Sequence, residues 1–274
     1  MPDEKELTPR ESEVMRIFTV CVNATSFHVR HLTQRTEKPV ERDLRSLEKK
    51  GFLTSLNNPK GDFYPRVLYP TQRGWDWGLG QKLFDKRVHA ISDKGSGNLP
   101  HDLVLADLYV KFHDTYGEEL YWTQLLQHCY RRFGEDPNDR VNMDAFASFP
   151  IGNEFGCLLF EVEKSRDKVR KNDGSARLAK VRAYDAYFRG HFQEEFGNDV
   201  HYRVIWTFST DQKALFFAAQ LRDMGASAAH WVLCEELIPL IGKDVPLFYA
   251  GADIVNEPAR RRFYAQQQHS LNGA

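Results

Sequence analysis

The stretch LLFEVEKS, residues 158–165, ends an apolar run with two carboxylates at alternate positions. Side chains alternate along a β-strand, so Glu161 and Glu163 project from the same face. Like charges on one face repel each other unless a positive charge lies between them. A divalent metal ion is one candidate for that charge. The alternative is a strand end that emerges into solvent, where two carboxylates need no partner.

The length and composition bound the class of protein. The chain has 274 residues, which suits one large domain or two smaller ones. Its 42% hydrophobic content is typical of a globular protein with an ordinary core. The net charge of -1 does not indicate a polyanion as partner, so a nucleic-acid site would depend on local clusters of cations.

The cysteines and the first residues of the chain indicate the cellular compartment in which we expect the protein. Four widely spaced cysteines form no CxxC pair, which disfavours a zinc finger and predicts reduced, buried thiols. The polar start MPDEKELTPRES is not that of a signal peptide, and no apolar run reaches the length of a membrane span. We therefore expect cytoplasmic localisation and no membrane association.

The N-terminal residues predict a helix with a well-defined start. Thr8 is placed to cap it, Pro9 suits the first helical position and Glu11 completes a capping box. A second, shorter helix is predicted to begin near Ser26.

A third helix and a hairpin follow. The third helix is predicted over residues 39–50, with Gly51 at its end. Two strand-like runs, 52–56 and 63–69, flank the turn sequence NNPKG. Three helices followed by a hairpin are typical of a winged helix-turn-helix DNA-binding domain, which we assign to residues 1–90.

Cations on the third helix and the hairpin are candidate DNA contacts, because in a winged helix these elements meet the major groove and the backbone. They are Arg42, Arg45 and Lys49 on the helix, Lys60 on the wing and Arg66 on its return strand. All could meet phosphates, and Arg42 or Arg45 could reach guanine edges. Glu41, Asp43 and Glu48 share the helix, so a solvated face of mixed charge is the alternative.

Residues 91–100 are polar and contain two glycines, which predicts a linker to a second domain over residues 101–274. The elements predicted there are helix 101–113, strands 138–149 and 155–163, helix 175–196, strand 202–207, a helix that ends at Gly225, and strand 230–234. A strand pair that leads into strand–helix–strand crossovers makes a mixed sheet, so the fold class is α/β (α+β).

In this order Asp144 lies on one hairpin strand, while Glu161 and Glu163 lie on its partner. We expect the three carboxylates to converge at one end of the sheet, where hard oxygen ligands suit Mg2+ or Mn2+. Such an ion polarises a phosphate and lowers the pKa of its bound water. Lys180, on the next helix, is the candidate cation beside the reacting phosphate, and an ordinary exposed lysine is the alternative.

Two histidine pairs allow weaker predictions. His28 and His31 are predicted to have no close acidic partners, so we expect them to be structural. His101 and Asp102 either reach the acidic end of the sheet or cap their own helix, and the preference of aspartate for helix starts favours capping.

Six segments in order carry a family resemblance: LTPRESEVMRIF, VERDLRSLEKKGFL, HDLVLADLYVKF, CLLFEVEKS, RLAKVRAYDAYF and YRVIWTFST. Together they resemble the replication-relaxation family, which is similar to plasmid mobilisation relaxases of the MobC type. The resemblance spans most of the chain. It implies an N-terminal winged helix joined to a nuclease domain of the PD-(D/E)XK, restriction-endonuclease-like fold.

The resemblance also implies roles for single residues. Asp144 matches the first acid of the nuclease motif, Glu161 matches the second, and Glu163 stands where most nucleases of this fold place lysine. Some restriction enzymes of the fold carry Glu-x-Glu there. Lys180 and Tyr184 match a K-x-x-x-Y pattern on the following helix. No tyrosine of that helix is expected to act as a nucleophile.

We therefore expect a DNA-processing protein of a plasmid or mobile element. It would bind double-stranded DNA and nick it with Mg2+ or Mn2+ on Asp144, Glu161 and Glu163. Nicked or single-stranded DNA and other mobilisation or replication proteins are further expected partners. The alternative is a catalytically inactive DNA-binding regulator of plasmid replication or transcription, and a protein-interaction adaptor is a third possibility.

Overall fold

The computed structural model describes residues 7–55, 66–84, 99–136, 139–163, 173–241 and 249–250. The chain divides into two compact units, Met1–His128 and Cys129–Ala274. Both contain helices and sheet, which confirms the mixed α/β class. All four cysteines are buried, and none of them forms a disulfide bond with another described residue. Among the described residues, no helix combines the length and apolarity needed to cross a bilayer.

The first unit begins with helix α1, strand β1 and helices α2 and α3. Their bounds, with those of the elements that follow, are α1 (Pro9–Cys21), β1 (Ala24–Thr25), α2 (Ser26–Thr33), α3 (Glu37–Lys49), β2 (Leu53–Ser55), β3 (Val67–Pro70), α4 (Gln72–Gly80), α5 (Leu99–Tyr116), a 3-10 turn (Gly117–Glu119) and β4 (Tyr121–Thr123). Strands β1, β3 and β2 form an antiparallel sheet in that order. The short helix α6 (Leu126–Cys129) spans the division between the units.

The predicted start of α1 is confirmed. The Thr8 hydroxyl accepts the Glu11 N–H at 3.3 Å, and the Glu11 carboxylate accepts the Thr8 N–H at 2.7 Å. One face of α1 then carries Val14 and Phe18, which are fully buried in the core of this unit.

Helix α3 begins two residues before its predicted start, because Pro39 in its first turn removes no hydrogen bond that the helix needs. Its end agrees with the prediction. Gly51 has a φ of +76°, a left-handed conformation that suits glycine, and it directs Phe52 back so that its N–H reaches the Leu47 carbonyl at 2.9 Å.

Helix α5 packs in the first unit, where Ala106 belongs to the same core as α1 and α3. The prediction that His28 and His31 lack acidic partners is wrong, because α5 supplies them. His28 Nε2 lies 2.9 Å from Asp107 Oδ1, and His31 Nε2 lies 2.7 Å from Asp114 Oδ1. These partners are 79 and 83 residues away in the sequence.

The residues around the start of α5 differ from expectation. The helix begins at Leu99, so neither His101 nor Asp102 occupies the cap position. Asp102 instead accepts a hydrogen bond from the Asn23 amide at 2.8 Å. Residues 91–98 of the predicted linker lie outside the described part of the chain.

The second unit is built on a mixed sheet. Its elements are β5 (Tyr130–Arg132), β6 (Arg140–Asn142), β7 (Ala145–Ile151), β8 (Glu154–Glu163), α7 (Asp173–Phe188), α8 (His191–Phe196), β9 (Val200–Phe208), α9 (Asp211–Asp223), β10 (His230–Cys234), a 3-10 segment (Glu235–Leu240) and β11 (Tyr249–Ala250). Five strands lie in the order β11-β10-β9-β8-β7. Strands β8, β9 and β10 are parallel, while β7 and β11 are antiparallel to their neighbours.

The predicted strand over residues 138–149 is two strands. The chain changes partner at Met143 and Asp144: β6 pairs with β5, and β7 pairs with β8. The Met143 N–H donates to the Cys129 carbonyl at 3.0 Å, and the Asp144 N–H donates to the Phe160 carbonyl at 2.8 Å. Alternation of side chains does not reveal such a change of partner.

The predicted helix over residues 175–196 is likewise two helices, broken at Arg189 and Gly190. Glycine is a poor helix former, which favours a break there. The short helix α8 brings Phe192 against Phe188, with ring centroids 5.5 Å apart, and against Tyr202 at 4.6 Å. Burial of these rings holds α8 against the sheet.

Removal of the Glu11 charge should destabilise the first unit. The Glu11 side chain is 5% exposed and is held by Lys50 Nζ at 2.8 Å and the Ser46 hydroxyl at 2.6 Å. We expect Glu11→Gln to lower the free energy of unfolding by about 3 kcal/mol at pH 7, measured by urea denaturation. Glu13→Gln is the control, because Glu13 is half-exposed and should cost at most about 1 kcal/mol.

The pKa of Glu11 predicts how the difference in unfolding free energy between the wild type and Glu11→Gln depends on pH. Burial alone would raise the pKa of Glu11, but the hydrogen bonds from Lys50, Ser46 and Thr8 lower it from 4.5 to about 2. The stabilisation is therefore complete above pH 4.5 and is lost as the pH falls towards 2. A difference between the two proteins that stayed constant over this range would contradict the assignment.

Candidate functional site

The three predicted acids lie near the same end of β8. Asp144 stands just before β7, and its Oδ2 atom accepts the backbone N–H of Val162 at 2.8 Å. This bond ties Asp144 to the strand that carries Glu161 and Glu163.

Glu161 is almost completely buried, with 1% of the residue exposed. Both of its carboxylate oxygens are engaged by side chains from α7: Lys180 Nζ contacts Oε2, and the Tyr184 hydroxyl donates to Oε1. Burial of a carboxylate is costly unless a cation and hydrogen bonds satisfy it, and α7 supplies both.

Glu163 is paired in a similar way. Arg177 Nη2 donates to its Oε2 atom at 3.0 Å. The guanidinium of Arg177 also lies over the rings of Phe208 and Phe217, 5.6 and 5.7 Å from their centroids, so it is held from two sides.

The prediction that Glu161 and Glu163 share a face is confirmed, because both contact α7. The positive charges opposite them are Lys180 and Arg177. A helix that follows a strand and returns over the sheet runs antiparallel to that strand. Arg177, which precedes Lys180 in the sequence, therefore meets Glu163, which follows Glu161. This order, together with the spacing of three residues between the cations, was a signal in the sequence that could have identified Arg177.

The charges in this cluster shift one another's pKa values. Burial raises the pKa of Glu161 to about 8, and the negative charge of Asp144 adds to the rise, while Lys180 opposes it. Burial alone would lower the pKa of Lys180, but the negative charges of Glu161 and Asp144 raise it above its usual value. Burial also raises the pKa of the Tyr184 hydroxyl well above 10.0, which suits a hydrogen-bond donor.

A second layer of contacts holds Tyr184. Its ring packs edge-on against Trp206, with centroids 6.0 Å apart. The Trp206 indole N–H donates to His230 Nδ1 at 3.0 Å, and His230 Nε2 lies 3.1 Å from Asp185 Oδ1. His230 is fully buried, so this chain of hydrogen bonds fixes the wall behind Tyr184. Tyr187 lies apart from the acids and donates to Glu195 at 2.6 Å.

The predicted metal ligands do not fit a metal site in this arrangement. Glu161 and Glu163 are held by α7, and Asp144 accepts a backbone N–H. Among the residues that the structure describes, no group of three or more His, Cys, Asp or Glu side chains could hold a metal ion. The chain after β8, residues 164–172, carries several further cations and lies outside those residues.

The exposed face of α3 is the second candidate site. Four exposed cations, which we call the cationic stripe, are Lys38, Arg42, Arg45 and Lys49. Their spacing of four, three and four residues aligns them on one side of the helix over about 16 Å. Lys38 was not among the predicted contacts, although its spacing from Arg42 was visible in the sequence.

Most acids of α3 are paired with cations from elsewhere. Asp43 is buried and contacts Arg35 at 2.8 Å, and Glu37 contacts Arg30 at 3.4 Å. Glu48 contacts Arg66, so this predicted DNA contact also holds β3 to α3. Lys60 lies outside the described residues.

A shallow cavity of about 790 Å³ lies against the first half of α3. It is lined by Thr36, Glu37, Lys38, Glu41, Arg42 and Arg45. The cavity brings Arg42 and Arg45, which were predicted to read bases, to one surface.

Comparison of the chain with protein-family models, curated proteins and solved structures finds no match.

The Lys180–Glu161 contact predicts a pH-dependent loss of stability in Lys180→Met. Without Lys180 the pKa of Glu161 rises further, so at pH 9 the buried carboxyl is either ionised without a cation or forced to keep its proton, and both cost stability. We expect a loss of about 3 kcal/mol in the free energy of unfolding at pH 9. The loss should be smaller at pH 6, because the wild-type Glu161 pKa of about 8 means that the carboxyl holds its proton there.

Urea denaturation at both pH values measures this difference. Arg182→Met is the matched control, since Arg182 is exposed on the same helix and should cost less than about 0.5 kcal/mol. The double variant Glu161→Gln/Lys180→Met should recover most of the loss at pH 9. Equal losses at both pH values would show that Lys180 acts through packing instead of charge.

Proposed function

We propose that this chain is a DNA-binding regulator that contacts duplex DNA through the cationic stripe of α3. The stripe is the observation that carries the proposal. Its four exposed cations extend over about 16 Å of one helix face, and the major groove of B-form DNA is wide enough to admit an α-helix. Each cation that meets a phosphate releases counterions and adds affinity that falls with salt.

The order of elements supports the same function. Three helices with β1 between the first two, followed by β2 and β3, match the order of a winged helix-turn-helix domain. In such a domain the third helix enters the major groove. The predicted wing falls between β2 and β3, over residues that lie outside the described part of the chain.

The mixed charge of α3 is compatible with DNA binding because three of its four acids are engaged by arginines from outside the stripe. Asp43 is buried against Arg35, and Glu48 is paired with Arg66. Local excess of positive charge on one face is sufficient for nucleic-acid affinity even when the net charge of the chain is -1.

The second unit favours a regulator over a nuclease. The three carboxylates expected to bind Mg2+ or Mn2+ are compensated from within the protein, by Lys180, Arg177 and backbone or tyrosine donors. These pairs attach α7 to the sheet, which is a structural role.

Metal-dependent nicking is the second candidate. The observation that favours it is the grouping of three acids, Asp144, Glu161 and Glu163, near one end of β8. Burial, together with the negative charge of Asp144, raises the pKa of Glu161 to about 8, and such a perturbation is the kind that marks functional sites. The resemblance to plasmid mobilisation relaxases implies the same activity.

DNA binding by the stripe predicts a specific salt dependence. If all four cations meet phosphates, the slope of log affinity against log salt should be about -3.6 or steeper for a B-form duplex. The double variant Arg45→Ala/Lys49→Ala should reduce this slope by about 2. Fluorescence anisotropy with a labelled duplex between 50 and 200 mM salt measures both.

The control for this experiment is Arg222→Ala, which removes an exposed cation from α9 in the other unit and should leave the slope unchanged. A wild-type protein without salt-dependent affinity for duplex DNA would contradict the proposal and favour a protein-interaction adaptor.

The absence of cleavage is tested separately. We expect no nicking of supercoiled DNA in Mg2+ or Mn2+ and no shift of the melting temperature with either ion. Nicking by the wild type that Asp144→Ala abolishes, with DNA affinity retained, would instead establish the second candidate.

A further inference from the structure

Glu41 is the acid of α3 that stands apart from the others. Within the described ranges it has no ion-pair partner, whereas Asp43 and Glu48 are each paired with an arginine. It lines the α3 cavity together with Arg42 and Arg45. A free carboxylate therefore lies among the cations that would face DNA.

A carboxylate in this position opposes binding to the DNA backbone, because phosphates carry the same charge. At the edge of a base, by contrast, a carboxylate can accept a hydrogen bond. The N4 amino group of cytosine donates a hydrogen bond in the major groove, and an ionised carboxylate only accepts. Arginine has the opposite preference, since its guanidinium donates to O6 and N7 of guanine.

The position of Glu41 on the helix fits contact with bases. It lies in the second turn of α3, and the first half of a recognition helix is the part that meets base edges in helix-turn-helix proteins. Arg42 follows it directly, and Arg45 lies one turn further on. The three side chains share one cavity, so a single short run of base pairs can reach them all.

We propose that Glu41 is a specificity-determining residue that accepts a hydrogen bond from cytosine N4, while Arg42 or Arg45 reads a neighbouring guanine. The preferred ligand is then a duplex with adjacent G·C pairs. This inference rests on the proposed function, because it names the sequence class that the α3 face would select.

The test uses the full chain and a randomised duplex library, followed by anisotropy on the selected site. The wild type should select cytosine at one position. Glu41→Ala should lose about tenfold discrimination at that position and no other. Its affinity for random duplex should rise, since a negative charge has left the face. If Glu41 only stabilised the fold, Glu41→Ala would lower the affinity for the selected site and the affinity for random duplex together.

Two further variants sharpen the result. Glu41→Gln keeps an acceptor and adds a donor, so adenine should become acceptable at the same position. Glu37→Ala is the matched control: it removes the same charge from the same cavity, but Glu37 is already paired with Arg30. It should raise affinity for random duplex without changing base preference.

The outcomes separate the two proposals. Selection of cytosine that survives Glu41→Ala, or a loss of base preference that Glu37→Ala reproduces, would overturn the role of Glu41 and leave DNA binding intact. Failure of the wild type to bind any duplex at low salt would overturn the proposed function itself.

Discussion

The contact between the Lys180 ammonium and the Glu161 carboxylate sets how α7 lies on the sheet of the second unit. Glu161 is buried near the end of β8, where an ionised carboxylate is stable only beside a cation. Once Lys180 occupies this position, the helical repeat brings Arg177 to Glu163 and Tyr184 to the other oxygen of Glu161. The aromatic wall behind Tyr184 then follows from the packing of Trp206 and its hydrogen bond to His230.

The charged residues of the first unit are arranged differently, because some of its cations are not used to hold its elements together. Several of its acids are paired with cations, while four cations stay exposed along α3. Glu11 and Asp43 are each buried against a cation and fasten helices to one another. The stripe of Lys38 to Lys49 contributes nothing comparable to packing. Cations that stay exposed on one face are available to a ligand, and this contrast between the units supports the proposal that the first of them binds nucleic acid.

Local patterns predicted those features that depend on neighbours in the sequence. The capping box at Thr8 and the glycine at the end of α3 are satisfied by groups within a few residues, so both were predicted correctly. The shared face of Glu161 and Glu163 follows from the geometry of a strand. The predictions over residues 138–149 and 175–196 merged separate elements, because each break is caused by a change of packing partner that periodicity does not register.

The sequence by itself determined that two carboxylates would face the same way and would need positive charge between them. Only the tertiary structure decided that the charge comes from α7. The reason is physical: a strand fixes the direction of its own side chains, but their partners depend on which helix returns over the sheet and in which register. The same holds for His28 and His31, whose acids lie on α5. Residues distant in sequence supply the compensating charges, and only the folded chain brings them together.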